Sequence, residues 1–163
     1  MQPEKIQIIE NYVDEEFVAK FLERFPIKEK KGRSRNTVRR FGSPIPYPGE
    51  LRSKNIPEMF DIFRKDITFD SVTINEYHKG QIIGWHVDDV KGGPEIYVLA
   101  LLSDANLDFR LVADKKQKVS YRIPKNSLTI ISGALRYDWE HYLEAEDTRY
   151  SVVFRNSADC IIK

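Results

Sequence analysis

From Phe69 onward the chain adopts a period of two and keeps it almost to the end. The alternation predicts strands over residues 70–78, 82–88, 95–103, 106–113, 118–123, 127–132, 136–143 and 149–156. Turn residues separate most of them: Gly80, Gly92-Gly93-Pro94, Asp104-Ala105-Asn106, Pro124-Lys125-Asn126 and Ser132-Gly133. So many short strands at regular spacing mean a β-sandwich or a barrel.

The region ahead of them has another rhythm. Ile6 and Ile8 alternate with polar residues, a short strand. Asp14 then has the character of an N-cap, with Glu15 and Glu16 in the first turn. Phe17, Val18, Phe21, Leu22 and Phe25 recur at three- and four-residue spacing, an amphipathic helix stopped by Pro26. Residues 27–55 are basic, then rich in Pro and Gly, and predict loop or hairpin. Pro57 opens a short helix carrying Met59, Phe60 and Phe63. The expected class is α+β, mainly β, with the N-terminal helices packed on one face. At 163 residues a single domain spanning 1–163 is expected, with a 1–68 segment before a 69–163 core.

Several function classes drop out. The longest apolar run, Ile96–Leu102, is seven residues, far short of the ~20 a membrane helix needs. The N-terminus, Met-Gln-Pro-Glu-Lys, lacks a signal-peptide layout, and one cysteine, Cys160, excludes an internal disulfide or a Cys-rich zinc site. The expectation is an intracellular protein, cytoplasmic or nuclear and not secreted, with no membrane and no obligate protein partner. The net charge of +1 conceals an asymmetry. Lys28 to Arg40 carries +6, so the remainder sums to −5. That suggests an anionic partner bound at one place, or else a solvated loop.

The last predicted strand places Tyr150, Val152 and Phe154 on one face and Arg149, Ser151, Val153 and Arg155 on the other. By itself the polar face reads as a solvated surface. His86-Val87-Asp88, however, puts an imidazole and a carboxylate on one face of a strand end, and His141 follows on a late strand. Two His and one carboxylate are the donor set of the facial triad in non-haem Fe(II) oxygenases. The remaining histidine, His78, falls on the face opposite Asn75 and Tyr77 and reads as outward and structural.

Taken in order, Asn75-x-Tyr77-x-x-Gly80-x-x-Ile83-x-x-His86-x-Asp88, then Arg136-Tyr137-x-Trp139-x-His141, then Arg149-Tyr150-Ser151-x-x-Phe154-Arg155, resemble the AlkB-like branch of the 2-oxoglutarate- and Fe(II)-dependent dioxygenases. The resemblance covers about residues 69–156. It implies a double-stranded β-helix (jelly-roll) core with polar residues facing inward at one mouth, and a substrate lid within 1–68. It implies that His86, Asp88 and His141 bind Fe(II) and hold the iron-borne oxidant. It assigns the cosubstrate to Arg149 and Tyr77 at the distal carboxylate and to Arg155 and Asn75 at the proximal end. Ser151 stands where many members carry Asn, and Ile83 walls the pocket. The reagents are then Fe(II), 2-oxoglutarate and dioxygen.

By the same resemblance the chemistry is oxidative removal of a methyl group from nitrogen, with release of succinate, carbon dioxide and formaldehyde. Relatives acting on nucleobases grip the nucleotide with the segment before the core. Here that segment supplies Arg35, Arg39 and Arg40 for phosphate, and Phe41 and Tyr47 for stacking on a base, or for pinning a loop to the core. The expected substrate is methylated DNA or RNA. Val90 stands two places after Asp88, where several base-repairing relatives are acidic. The same chemistry on a protein side chain or small molecule is therefore carried as an alternative, as is a non-catalytic nucleic-acid-binding module.

Overall fold

The computed structural model describes residues 6–28, 36–43 and 55–157. Among these residues, ten strands form two antiparallel sheets. In chain order they are β1 (Ile6–Ile9), β2 (Thr37–Gly42), β3 (Ser71–Tyr77), β4 (Ile82–His86), β5 (Ile96–Leu101), β6 (Ala105–Leu111), β7 (Lys118–Ile123), β8 (Leu128–Ile131), β9 (Trp139–Glu144) and β10 (Arg149–Arg155). The larger sheet has the order β1-β8-β5-β10-β3-β2 and the smaller β4-β9-β6-β7. Two sheets face to face, with consecutive strands passing between them, make the jelly roll that the alternation predicts.

Helix α1 (Glu15–Arg24) starts where Asp14 Oδ1 accepts the Phe17 N–H at 2.9 Å, a side-chain N-cap. Its buried face, Phe17, Val18 and Phe21, lies on the larger sheet. After Pro57 a 3-10 helix, Glu58–Lys65, buries Phe60 and Phe63 on the same side. The rings interlock around Phe21, which contacts Phe17, Phe25, Phe60 and Tyr150 at centroid distances of 4.9–6.4 Å. Each buried ring of this kind contributes roughly 1.5–3 kcal/mol by leaving water.

Two findings differ from the expected elements. Residues 136–137, expected to open a strand, belong to a short helix α2 (Gly133–Tyr137), and the strand starts at Trp139. Gly133 has φ +62, so the chain turns sharply out of β8 and closes one helical turn before re-entering the sheet. Within the basic region expected to be loop or hairpin, residues 37–42 form β2, an edge strand paired to β3 from Thr37↔Glu76 to Gly42↔Ser71. The N-terminal segment thus supplies strands β1 and β2 to the larger sheet as well as helices.

Strand β10 is central, paired to β3 on one side and β5 on the other. Its Tyr150, Val152 and Phe154 join the aromatic layer under α1. Its other face, with Val153, looks into the space between the sheets, where Phe109, Trp139 and Leu143 form a second core. The polar face of β10, ambiguous from periodicity alone and inward by the resemblance, is interior.

Candidate metal and cosubstrate site

Strand β4 ends at His86, and β9 pairs with it so that His86 and His141 are cross-strand partners, their ring centroids 4.2 Å apart. Asp88 follows two residues after His86. His86 Nε2 lies 3.3 Å and His141 Nε2 3.7 Å from Asp88 Oδ1, and ligand atoms of the three lie within 4.8 Å of one another. Three donors converging from two strands and a loop leave one side open, the arrangement of a facial triad.

The surrounding groups prepare these donors. His86 Nδ1 is 2.7 Å from the Gly84 carbonyl, which can only accept; Nδ1 therefore carries a proton, and Nε2 is the ring atom turned toward Asp88. Burial pulls the His86 pKa down, but the hydrogen bond to Asp88 and its charge outweigh that and raise it. Burial, reinforced by the charges of His86 and Arg155, pulls His141 down to about 4 against the attraction of Asp88, so His141 is neutral at pH 7. Burial would raise Asp88, yet Arg155, His86 and His141 hold it well below the usual carboxylate range.

Arg155 donates from Nε at 3.0 Å and Nη2 at 2.8 Å to Asp88 Oδ2, and from Nη1 at 3.3 Å to Thr73 Oγ1. Arg155, expected at the proximal end of the cosubstrate, thus bonds Asp88 and at the same time lines the cavity beside it. Its fork orients the carboxylate, leaving Oδ1 for the imidazoles. Arg136, a motif residue with no role assigned from sequence, holds the same loop. Buried at 2% exposure, it donates to the carbonyls of Asp88 (2.8 Å), Asp89 (2.8 Å) and Gly93 (3.2 Å). The loop packs tightly on β10. A Cβ on Gly92 would meet Arg155 Cδ at 3.0 Å, and one on Gly93, at φ +90, the Asn156 carbonyl at 2.6 Å.

Between the sheets, behind the triad, lies a cavity of about 60 Å3. That is several times the ~10–15 Å3 that one water needs. Asn75, Tyr77, Arg149, Ser151 and Arg155 line it together with His86, Asp88 and His141, and Ile83 forms part of its wall. Asn75 Nδ2 donates to Ser151 Oγ at 3.3 Å, and Asn36 Nδ2 donates to Asn75 Oδ1 at 2.8 Å. Arg149 is buried at 1% exposure with its guanidinium 5.6 Å from the centre of the Tyr77 ring, and its Nε has no partner. Burial, with Arg149 and Ser151 opposing, raises the Tyr77 pKa, so its hydroxyl stays protonated. A buried cation with an unmet N–H calls for an anion. A carboxylate-bearing cosubstrate fits that need, and two imidazoles with one carboxylate suit Fe(II).

The expected substrate grip is only partly assembled here. Arg35 and Tyr47 lie outside the described residues. Arg39 and Phe41, expected at the substrate, lie on the other face of the sheet. The register Arg39↔Ile74 and Phe41↔Val72 sends both side chains to the helix side, away from the cavity. There Arg39 Nη2 is 3.5 Å from Glu76 Oε1, and Phe41 packs 6.0 Å from Phe25. Arg40, opposite Thr73, is on the cavity face. His78 Nε2 lies 3.1 Å from Glu76 Oε2 on the helix side. Glu76, 1% exposed, also accepts from the Lys28 N–H at 3.2 Å, while Tyr150 Oη donates within a fork between Glu76 Oε1 (2.9 Å) and the Phe25 carbonyl (2.8 Å).

The model of the 2OG-Fe(II) oxygenase superfamily matches residues 17–155. Among solved structures the chain is similar to that titled "The structure of OsALKBH1", with a TM-score of 0.65 at 14% identity, covering 96% of this chain and 99% of that one. No curated protein matches. The family match spans the triad and both buried arginines of β10, and the chain belongs to the 2OG-Fe(II) oxygenase superfamily, AlkB-like in fold, with Fe(II), 2-oxoglutarate and dioxygen as its reagents.

Proposed function

We propose that this dioxygenase removes methyl groups oxidatively from N-alkylated bases in DNA or RNA. When bound, iron and 2-oxoglutarate supply the oxidising power, with one atom of dioxygen passing to succinate and the other to the methyl carbon, which leaves as formaldehyde. The chain's own part is positional. His86, Asp88 and His141 hold the metal, and Arg155 and Arg136 hold Asp88 still. Arg149, Tyr77, Asn75 and Ser151 seat the cosubstrate. The apolar walls exclude water from the reacting atoms.

The observation that supports a nucleic-acid substrate is the placement of Arg40. Strand β2, from the basic stretch, sets Arg40 opposite Thr73, and Arg155, next to the metal ligand, bonds that same threonine. A cation there can meet a phosphate while the base enters the mouth. The alternative, the same chemistry on a protein side chain or small molecule, draws on the Arg39 and Phe41 orientations and on Val90, which is 60% exposed just past Asp88.

The test is formaldehyde and succinate release across methylated DNA and RNA oligomers, with methylated peptides alongside. Formaldehyde in step with succinate on at least one oligomer is expected. Formaldehyde from peptides alone would overturn the nucleic-acid reading. Arg40→Ala should flatten the salt dependence of single-strand binding by about 0.7 if one phosphate contact is lost, because fewer counterions are released.

A further inference from the structure

We propose that Thr129 is a further cosubstrate-binding residue, whose hydroxyl donates to the acid that Arg149 neutralises. Thr129 lies in β8, between β1 and β5, in register with Ile8 and Val98. Leu128, Ile130 and Ile131 flank it, so valine would suit the strand at least as well. The threonine is 1% exposed, and its Oγ1 has no hydrogen-bond partner. A buried hydroxyl left unmet destabilises the fold, and a sequence that keeps one has a use for it away from the protein's own groups.

The surroundings narrow that use. Thr129 lines the same cavity as Arg149, whose Nε is the other buried polar atom without a partner there. The two residues come from strands separated by β5 and face a space of about 60 Å3, room for one small molecule. Whatever neutralises Arg149 therefore shares the cavity with Thr129. Both unmet groups can donate, the complement of an anion's oxygens. Val98 and Val153 continue the row of Thr129 across the sheet, and Arg149 lies further along β10 on the same face as Val153, so the valines offer a surface for methylene groups along the way from one to the other. A short dicarboxylate with an aliphatic stem satisfies all of this. The inference rests on 2-oxoglutarate being the occupant.

The proposal is tested by anaerobic calorimetry of 2-oxoglutarate binding to the Mn(II)-loaded protein. Wild type, Thr129→Val, Thr129→Ser and Arg149→Met are compared, along with Mn(II) affinity and the Tm of each apo form. Thr129→Val should weaken 2-oxoglutarate about tenfold, the ~1.4 kcal/mol scale of one hydrogen bond to a charged group. Thr129→Ser should stay close to wild type. Mn(II) affinity should not move, and the apo Tm of Thr129→Val should be equal to or above wild type because an unmet hydroxyl is gone. Unchanged 2-oxoglutarate affinity in Thr129→Val overturns the proposal. So does a lowered apo Tm, which would reveal an internal partner for the hydroxyl. Loss of binding in Arg149→Met with none in Thr129→Val sinks the proposal alone. A wild type that binds no 2-oxoglutarate removes the cosubstrate reading, and this inference with it.

Discussion

Tyr150, Val152 and Phe154 on one face of β10, and Arg149, Ser151, Val153 and Arg155 on the other, are buried to much the same degree but meet different surroundings. The helix side is dry and ring-packed: Phe154 alone contacts Phe60, Phe63 and Phe69 within 5.8 Å. Its buried charge, Glu76, is ringed by Arg39, His78, Tyr150 and the Lys28 N–H. The cavity side leaves Arg149 Nε and Thr129 Oγ1 unmet. One strand thus divides stability from function. On the first face the buried carboxylate is met by the chain's own groups, although Arg39 Nη1 lacks a partner, whereas the second face carries unmet donors around a cavity, so polar groups there lower stability until occupied.

That division can be broken most sharply at the metal. His86→Ala should reduce 2-oxoglutarate turnover to background while shifting Tm by only a few degrees, because His86 is partly exposed and lies away from the aromatic layer. Retained turnover in this variant would remove the triad assignment.

The next test sets the two faces against each other. Phe21→Ala, a fully buried ring, should cost about 3–5 kcal/mol of folding stability, read by chemical denaturation, and leave 2-oxoglutarate affinity nearly unchanged in the folded protein. Arg149→Met should do the reverse, since an apolar side chain of similar length replaces a buried cation with no carboxylate partner among the described residues. Stability should be equal or higher, and cosubstrate binding should weaken by about 2–5 kcal/mol, the scale of removing one partner of a buried charge pair. If Arg149→Met unfolds as readily as Phe21→Ala, the division is false. A smaller effect is expected from Arg155→Lys, which keeps the charge but loses the fork on Asp88. Metal affinity, measured by Mn(II) titration, should fall by roughly 10–100-fold, with 2-oxoglutarate affinity at saturating metal much less changed. The opposite pattern would make the cosubstrate, rather than Asp88, the chief partner of Arg155.

How far the sequence carries differs from element to element. The N-cap at Asp14, the apolar stripe of α1 and most β-strands are local patterns, and the structure follows them to within a few residues. Residues 136–137 escaped because a five-residue helix holds too few positions to show a period. Strand β2 escaped because Thr37-Val38-Arg39-Arg40-Phe41 reads as a charged loop, and only pairing with β3 makes it a strand. Thr129 had a faint signal, a lone hydroxyl in an apolar strand. Arg136 lay within a quoted motif, but its three carbonyl partners are separated from it by more than forty residues.

Residue order alone settles which groups the chain owns and their spacing: His86-x-Asp88 at a strand end, His141 on a late strand, two arginines on one face of the last strand, and a two-residue period that commits the chain to sheets. These properties travel along the backbone and need no partner. Tertiary packing settles which face of β10 is dry and which is a cavity, that Arg155 bonds Asp88 while Arg149 is left with an unmet N–H, and that Arg40 but not Arg39 lies on the cavity face of its sheet. Each of these depends on which strand lies beside which and in what register. A shift of one residue would reverse every side chain, and local pattern does not encode that choice.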